Sequence, residues 1–267
     1  SVQEGAWRSE KLEKLFVYLA MNRNRGVCIE DISEAIWQVE EETDNPVGAL
    51  KNLAYRLRKA LRDASFGEEC IVSVRGGLYK WNDDVEVTID VEEFDRYINE
   101  AEMAFCRSKE TAIESYEKAI ALYHGDFLPL RTDTHWFMTL NAFYHSRYVN
   151  TVKALAKLYI DTGCYEKLEQ LCTRAIVYER SDEQIYSYLI VARMRTKKVQ
   201  MAFDTYETAK AIMDKDLGVR KTVMLNKVYE ELLSVTKGAS SYNIDEVKDD
   251  ISEESMNGVF MCGYPVF

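Results

Sequence analysis

The side chains best suited to chemistry in this sequence lie close together, and they are hydrogen-bond donors rather than nucleophiles or metal ligands. The group comprises Lys51, Asn52, Tyr55, Arg56, Arg58, Lys59 and Arg62. Lysine and arginine neutralise phosphates, arginine pairs with a guanine edge, and an asparagine amide pairs with an adenine edge. Such a set within one short segment indicates a surface for nucleic acid.

A single helix can position these donors. At about 100° per residue, five apolar side chains fall on one narrow stripe: Leu50, Leu53, Ala54, Leu57 and Leu61. Three donors project to the opposite side: Asn52, Tyr55 and Lys59. Asn45 is a good N-cap, and Pro46 suits the first helical position, whose N–H needs no partner. We predict a helix over residues 46–62 with an apolar side and a donor side.

Charge is unevenly distributed along the chain. The 267 residues carry a net charge of −11. Residues 44–81 nevertheless hold seven Lys or Arg against four Asp or Glu, whereas residues 238–267 hold one base against six acids. Because salt screens charges beyond about 10 Å, a bound polyanion responds to the local excess rather than to the total.

Several other classes of protein are disfavoured by the sequence. No run approaches the roughly 18 apolar residues of a membrane span, so we expect a cytoplasmic protein with no membrane partner. The six cysteines are dispersed without a Cys-x-x-Cys pair, which favours reduced thiols. The three histidines, His124, His135 and His145, lack metal-ligand spacing, and no P-loop or nucleophile elbow is present. We therefore predict no metal site, no cofactor and no enzymatic activity.

The elements around the donor helix have the order of a winged helix. Helix one is capped by Ser9 and ends near Asn22, and helix two carries Trp37 on its apolar side. After the donor helix, residues 70–81 have the pattern of two strands joined by a tight turn at Arg75-Gly76-Gly77. Three helices followed by a hairpin predict a winged helix-turn-helix whose hairpin is the wing.

The remainder, from about Asp90 to Thr236, has helical periodicity and an internal repeat. An apolar or small residue, an apolar residue four positions on and an alanine three further on occur three times: Ala112-Tyr116-Ala119, Leu168-Cys172-Ala175 and Ala202-Tyr206-Ala209. The last two copies are offset by 34 residues, which is the tetratricopeptide period. The predicted fold class is therefore mainly α, a winged-helix DNA-binding domain followed by a tetratricopeptide-like helical domain.

Two stretches resemble a known family. Residues 11–81 resemble the OmpR-type winged helix of SARP/AfsR-like bacterial transcriptional regulators, through Tyr55-Arg56-Leu57-Arg58-Lys59-Ala60-Leu61 and the wing Val74–Tyr79. Residues from Ile89 onward resemble the bacterial transcriptional activator domain, most specifically through His124-Gly125-Asp126-Phe127-Leu128. An OmpR-type domain normally opens with a small sheet, and little sequence precedes Ser9 to build it.

The resemblance implies three segments. Residues 1–84 would be the DNA-binding domain, and residues 85–237 the tetratricopeptide-like activator domain. Residues 238–267 have the composition of an acidic linker. Because Val259–Phe267 is apolar again, we expect it to be the start of a further domain.

The resemblance also implies roles for the donors. The helix over 46–62 would enter the major groove, where Asn52 reads adenine, an arginine reads guanine, and Tyr55 faces the bases. The cations at the edges would hold phosphates: Lys51, Lys59 and Arg62. The wing, residues 70–81, would lie on the backbone or in the minor groove.

Two arginines have competing interpretations. Arg56 either faces DNA or forms a salt bridge with Glu34 or Asp31. Arg75, at the tip of the wing, either enters a narrow minor groove or is an ordinary exposed turn arginine.

These observations predict a sequence-specific DNA-binding transcriptional regulator, of the activator type. Its partners would be double-stranded DNA and RNA polymerase, and it would form a homodimer. The helical domain would mediate dimerisation, polymerase contact or signal input. The alternative is a tetratricopeptide protein-interaction scaffold whose winged helix binds protein instead of DNA.

Overall fold

The computed structural model describes residues 9–37, 45–63, 70–74, 77–85, 87–126, 134–214 and 222–236. Within these ranges the chain forms ten helices and one antiparallel hairpin. The elements are α1 (Glu10–Met21), α2 (Ile29–Ile36), α3 (Pro46–Asp63), β1 (Ile71–Val74), β2 (Leu78–Trp81), α4 (Asp90–Ala104), α5 (Lys109–Leu122), α6 (His135–Thr162), α7 (Tyr165–Tyr178), α8 (Glu183–Arg195), α9 (Val199–Ile212) and α10 (Val223–Thr236). The predicted mainly α fold class is confirmed. No described helix is both long enough and apolar enough to span a bilayer.

The first three helices and the hairpin enclose one apolar core. α1 packs against both α2 and α3, and β2 packs against α1. In the hairpin, Ile71 is opposite Trp81. Val27, between α1 and α2, adds a bridge to this hairpin, because Val27 and Tyr79 each donate an N–H to the other's carbonyl oxygen at 2.8 Å. The order of three helices followed by a hairpin is the one that the sequence predicts.

Ser9 occupies the predicted N-cap position of α1, and its carbonyl oxygen accepts hydrogen bonds from the backbone N–H groups of Leu12 and Glu13, although its hydroxyl accepts no capping hydrogen bond. One local prediction in this region is wrong. α2 ends at Ile36, and Trp37 has an extended backbone conformation, so its indole is not carried on the helix. The ring instead lies half-buried at the edge of the core, with Lys11 Nζ 5.8 Å from its centroid.

The helical region is built from consecutive helices that pack on each other. α4 packs on α5 and α6 on α7, while α8, α9 and α10 contact one another in a second compact unit that begins at Ser181. Gly163 ends α6 with a φ of 72°, a left-handed conformation that glycine adopts without steric cost. All nine positions of the predicted repeat are buried, on α5, α7 and α9. The predicted helix–helix contact positions are thereby confirmed.

The N-terminal core extends into the helical region. Trp136, at the start of α6, packs against it, and its ring centroid lies 4.9 Å from that of Tyr18 on α1. Arg23 forms a two-pronged ion pair with Glu92 on α4. The described residues from α1 to α7 group as one compact unit, and the domain boundary expected after residue 84 remains a prediction.

Candidate nucleic-acid interface

The N-terminus of α3 is closed by the predicted cap. The backbone N–H of Gly48 donates to Asn45 Oδ1 at 2.9 Å, and Pro46 occupies the first helical position. A Cβ atom on Gly48 would come within 2.7 Å of Asn45 Nδ2. Glycine at this position therefore lets the asparagine amide close over the end of the helix. The predicted cap is confirmed.

The inner side of α3 is the predicted apolar stripe. Its buried residues are Leu50, Leu53, Ala54, Leu57 and Leu61. They pack in the core formed with α1 and α2. Because this stripe occupies one side of the helix, its burial fixes the rotation of α3 about its axis and turns the opposite side outward.

The outer side of α3 is polar and open. We call it the donor face, and its exposed residues are Lys51, Asn52, Tyr55, Arg56, Lys59 and Arg62. The Tyr55 side chain is 63% exposed, which is high for a large aromatic residue. Within the described part of the chain, none of the four cations of this face has an ion-pair partner. The donors are therefore free to contact a ligand.

Arg56 belongs to the donor face. Its side chain is exposed, as are those of Asp31 and Glu34 on α2. Among the residues that the structure describes, Arg56 forms no ion pair with either acid. The intramolecular salt bridge considered from the sequence is absent there, which leaves the guanidinium available.

Arg58 is placed differently from the other predicted DNA-binding residues. Its side chain is only partly exposed, and its Nε donates a hydrogen bond to the carbonyl oxygen of Ile71 at 2.8 Å. Ile71 is the first residue of β1, at the base of the hairpin. Arg58 therefore ties α3 to the hairpin instead of projecting from the donor face.

The tip of the hairpin is only partly described. Gly77 has a φ of 79°, which fits the predicted tight turn. Arg75 and Gly76 lie outside the described residues, so the proposed minor-groove arginine remains a prediction.

Two contacts that stabilise the N-terminal helices were not predicted from the sequence. Lys14 on α1 is almost completely buried, and its Nζ lies 2.8 Å from Glu10 Oε1 one turn earlier. The spacing of four residues between Glu10 and Lys14 could have predicted this ion pair. The contact of Trp136 with Tyr18 had no such signal, because the partners are far apart in the chain.

The described region offers little support for other site chemistry. It holds no group of three or more His, Cys, Asp or Glu side chains placed to bind a metal ion. Its five cysteines are free, and burial raises the pKa of the Cys70 thiol, which keeps it protonated and unreactive.

The chain is similar to known proteins along most of its length. Residues 89–233, more than half of the chain, match the bacterial transcriptional activator domain. The transcriptional regulator RedD of Streptomyces coelicolor is 23% identical over 233 residues, which cover 86% of this chain and 66% of RedD. The structure of Mycobacterium tuberculosis EmbR in complex with a low-affinity phosphopeptide matches with a TM-score of 0.67 and 18% identity, over 93% of this chain and 64% of EmbR.

The chain thus spans slightly less than two thirds of the length of each of these relatives. At 18% identity the likeness to EmbR concerns the fold alone. The family assignment comes from the domain match, which covers the helices from α4 to most of α10. The chain belongs to the bacterial transcriptional activator domain family.

Proposed function

We propose that this regulator binds DNA sequence-specifically through α3 and activates transcription. One observation carries the proposal: α3 buries its leucine side and leaves the donor face exposed and unpaired within the described chain. A cationic helix face of this kind in a transcriptional regulator is suited to the negatively charged major groove.

The dimensions of α3 suit this role. A helix with its side chains is about 10–12 Å across, and the major groove of B-DNA is about 12 Å wide. Asn52 and Arg56 are four residues apart, so they project from the same side with about 6 Å between them along the axis. That separation corresponds to about two base-pair steps of roughly 3.4 Å. Asn52 then reads adenine, and Arg56 reads a guanine about two steps away.

The remaining donors set the register of the helix on DNA. Lys51, Lys59 and Arg62 contact phosphates on either side of the groove, and Tyr55 lies between them toward the bases. With these three phosphate contacts and a fourth from Arg75, the logarithm of the affinity falls with the logarithm of the salt concentration with a slope of roughly −3 to −4 for each monomer. A dimer on paired half-sites doubles this slope.

The hairpin and the helical region complete the proposal. Arg58 holds the hairpin against α3, so that Arg75 reaches the backbone or the minor groove beside the site that α3 reads. The helical region provides dimerisation, RNA polymerase contact or signal input. Support for a regulatory role of this region comes from its match to the bacterial transcriptional activator domain.

Two substitutions on the donor face test the proposal. Bound sequences are first selected from genomic fragments, and affinities for selected and scrambled sites are then measured by fluorescence anisotropy. Asn52→Ala should weaken the selected site and leave the scrambled site unchanged, because an amide–base contact carries specificity. Lys59→Ala should weaken both sites equally, because a phosphate contact does not depend on sequence.

Lys118→Ala is the matched control, since Lys118 is an exposed cation on α5 far from the donor face in the sequence. It should leave both affinities unchanged. If neither donor-face variant alters binding, α3 is not the DNA-reading helix. If the wild-type chain shows no salt-dependent DNA binding and no retention on heparin, the result supports the protein-binding scaffold instead.

A further inference from the structure

Tyr55 is the one tyrosine that the described part of the chain leaves fully exposed. Its side chain is 63% exposed, whereas every other tyrosine in the described ranges is buried or half-buried. Within those ranges its ring stacks on no other ring, and its hydroxyl has no hydrogen-bond partner. The six ring carbons of a phenol are apolar, so their exposure to water is unfavourable. Such a ring is suited to a contact that forms only when a ligand binds.

The neighbours of Tyr55 on α3 make its ring an isolated apolar group on a polar surface. The nearest donor-face residues one turn away are Lys51, Asn52 and Lys59, and all three are polar and exposed. The buried leucine stripe of α3 lies on the opposite side of the helix and cannot cover the ring. An apolar partner for the ring would therefore come from the ligand of the donor face.

The major groove of DNA offers one apolar group on its base edges. Adenine, guanine and cytosine present only hydrogen-bond donors and acceptors there, whereas thymine adds a methyl group at C5. We propose that Tyr55 is a specificity-determining residue that reads thymine, through packing of its ring against this methyl group. The inference rests on the proposed function, because it requires α3 to lie in the major groove.

The position of Tyr55 on α3 indicates which base pair contains this thymine. Tyr55 follows Asn52 by three residues, which is about 4.5 Å along the helix axis, and Arg56 follows Asn52 by about 6 Å. Since base pairs are about 3.4 Å apart, Tyr55 reaches the base pair between the adenine read by Asn52 and the guanine read by Arg56. Around the axis, Tyr55 and Arg56 lie on opposite sides of Asn52, so they face different strands.

The hydroxyl of Tyr55 defines the competing contact. A phenol O–H can donate a hydrogen bond to a phosphate oxygen, and such a contact carries no sequence information. The cations on the same face, Lys51, Lys59 and Arg62, already supply donors for phosphates. The ring is therefore the feature that Tyr55 alone adds to the donor face, and the two contacts can be separated by removing either the ring or the hydroxyl.

A double-mutant cycle between protein and DNA tests the contact. Each thymine of the selected site is replaced in turn by uracil, which lacks only the C5 methyl group, and affinities are measured by fluorescence anisotropy. One such replacement should weaken wild-type binding about fourfold, the equivalent of about 0.8 kcal/mol for one buried methyl group. The same replacement should not affect Tyr55→Ala, which has no ring. Tyr55→Phe should respond to uracil like wild type, because it keeps the ring and lacks the hydroxyl.

Methylated cytosine sharpens the test. Cytosine in place of the sensitive thymine should weaken wild-type binding, and 5-methylcytosine, whose methyl group occupies the same ring position, should recover about fourfold in affinity. Tyr55→Ala should not distinguish cytosine from 5-methylcytosine. Asn52→Ala is the matched variant on the same face. It should bind the selected site more weakly than wild type but keep the fourfold ratio between thymine and uracil.

Three outcomes would overturn the inference about Tyr55 while leaving the proposed function intact. In the first, uracil has no effect on wild type at any thymine of the site. In the second, the uracil effect is as large for Tyr55→Ala as for wild type. In the third, Tyr55→Phe loses affinity for selected and scrambled sites alike, which would place the hydroxyl on a phosphate. A wild-type chain without salt-dependent DNA binding would instead overturn the proposed function and this inference together.

Discussion

The donor face of α3 and the region from α4 to α7 use charged side chains in opposite ways. On the donor face, the cations are exposed and have no ion-pair partner in the described chain. In the helical region, three cations are paired with acids of other helices: Arg147 with Asp95 at 2.7 Å, Lys167 with Glu117 at 2.8 Å and Lys109 with Asp161 at 2.8 Å.

Three tyrosines follow the same division. Tyr55 on the donor face is exposed, whereas Tyr144 and Tyr159 of the helical region are buried and donate their hydroxyls to acids. Tyr159 donates to Glu117 at 2.6 Å, and Tyr144 donates to Asp95 at 3.3 Å. Buried polar groups are generally hydrogen-bonded within the protein, whereas exposed polar groups are available to a ligand. The donor face differs in that four exposed cations without a described ion-pair partner lie together on one side of one helix, which is the arrangement proposed to bind a nucleic acid.

The largest expected effect comes from reversing charge on the donor face. Lys59→Glu combined with Arg62→Glu should weaken DNA binding by about a hundredfold or more near physiological salt, because two phosphate contacts become repulsive. The free energy of unfolding should change by less than about 0.5 kcal/mol, since both side chains are exposed. Lys118→Glu combined with Arg107→Glu is the matched control for charge. An equal loss of DNA binding in the control would contradict the proposed difference between the donor face and the helical region.

A smaller effect, on stability, is expected in the helical region. Arg147→Ala should lower the free energy of unfolding by about 2 kcal/mol, because Asp95 is left partly buried without its cation. Urea denaturation measures the change. In the same assay, Lys59→Ala should change the free energy of unfolding by no more than about 0.5 kcal/mol. Equal destabilisation of Arg147→Ala and Lys59→Ala would contradict the proposed difference between the helical region and the donor face.

Arg58 combines features of the two regions. It lies on α3 like the donor-face cations, but it has a partner within the protein like the paired cations of the helical region. Arg58→Ala should weaken DNA binding about fivefold to tenfold, the equivalent of one lost hydrogen bond, by releasing the hairpin from α3. The salt dependence should keep its slope. Arg62→Ala should instead reduce the slope by about 0.9, the value for one phosphate contact. A reduced slope for Arg58→Ala would place its guanidinium on a phosphate.

The smallest effect is a pH dependence in the helical region. Burial alone would raise the pKa of Glu117, but hydrogen bonds from Lys167 and Tyr159 and the charge of Lys167 outweigh it and hold the pKa below its usual 4.5. A carboxyl with a lowered pKa stabilises the fold above 4.5, and this contribution is lost as the pH falls through the lowered value.

Glu117→Gln should therefore flatten the acid side of the stability profile, measured by urea midpoints between pH 6 and pH 3. At pH 6 the variant should be less stable than wild type, and the difference should shrink toward pH 3. A difference that stays constant with pH would mean that the charge of Glu117 contributes nothing.

Local patterns of the sequence predicted α3 well. The first residue of the helix, its end to within one residue, the Asn45 cap and all five residues of its buried stripe agree with the structure. The same holds for the repeat, whose alanines are buried at helix contacts. These features depend on periods of three to four residues and on capping, which are determined within one or two turns of helix.

Contacts between segments that are distant in the sequence could not be predicted from these local patterns. The acceptor for Arg58 is 13 residues away on a strand, so no spacing within the helix could predict that this arginine has a partner within the protein. Glu92 is 69 residues from Arg23, and no local pattern links the two. The side chain that packs against Tyr18, Trp136, comes from a helix more than a hundred residues later.

Sequence by itself thus determined which side of α3 is apolar and which side presents donors, because amphipathic spacing is a property of one helix. Only the tertiary structure decided which of those donors remain free. That choice depends on what the neighbouring elements offer: α2 leaves Arg56 exposed and unpaired within the described chain, while β1 presents a backbone carbonyl to Arg58. A side chain's availability is set by its surroundings in space, and those surroundings come from distant parts of the chain.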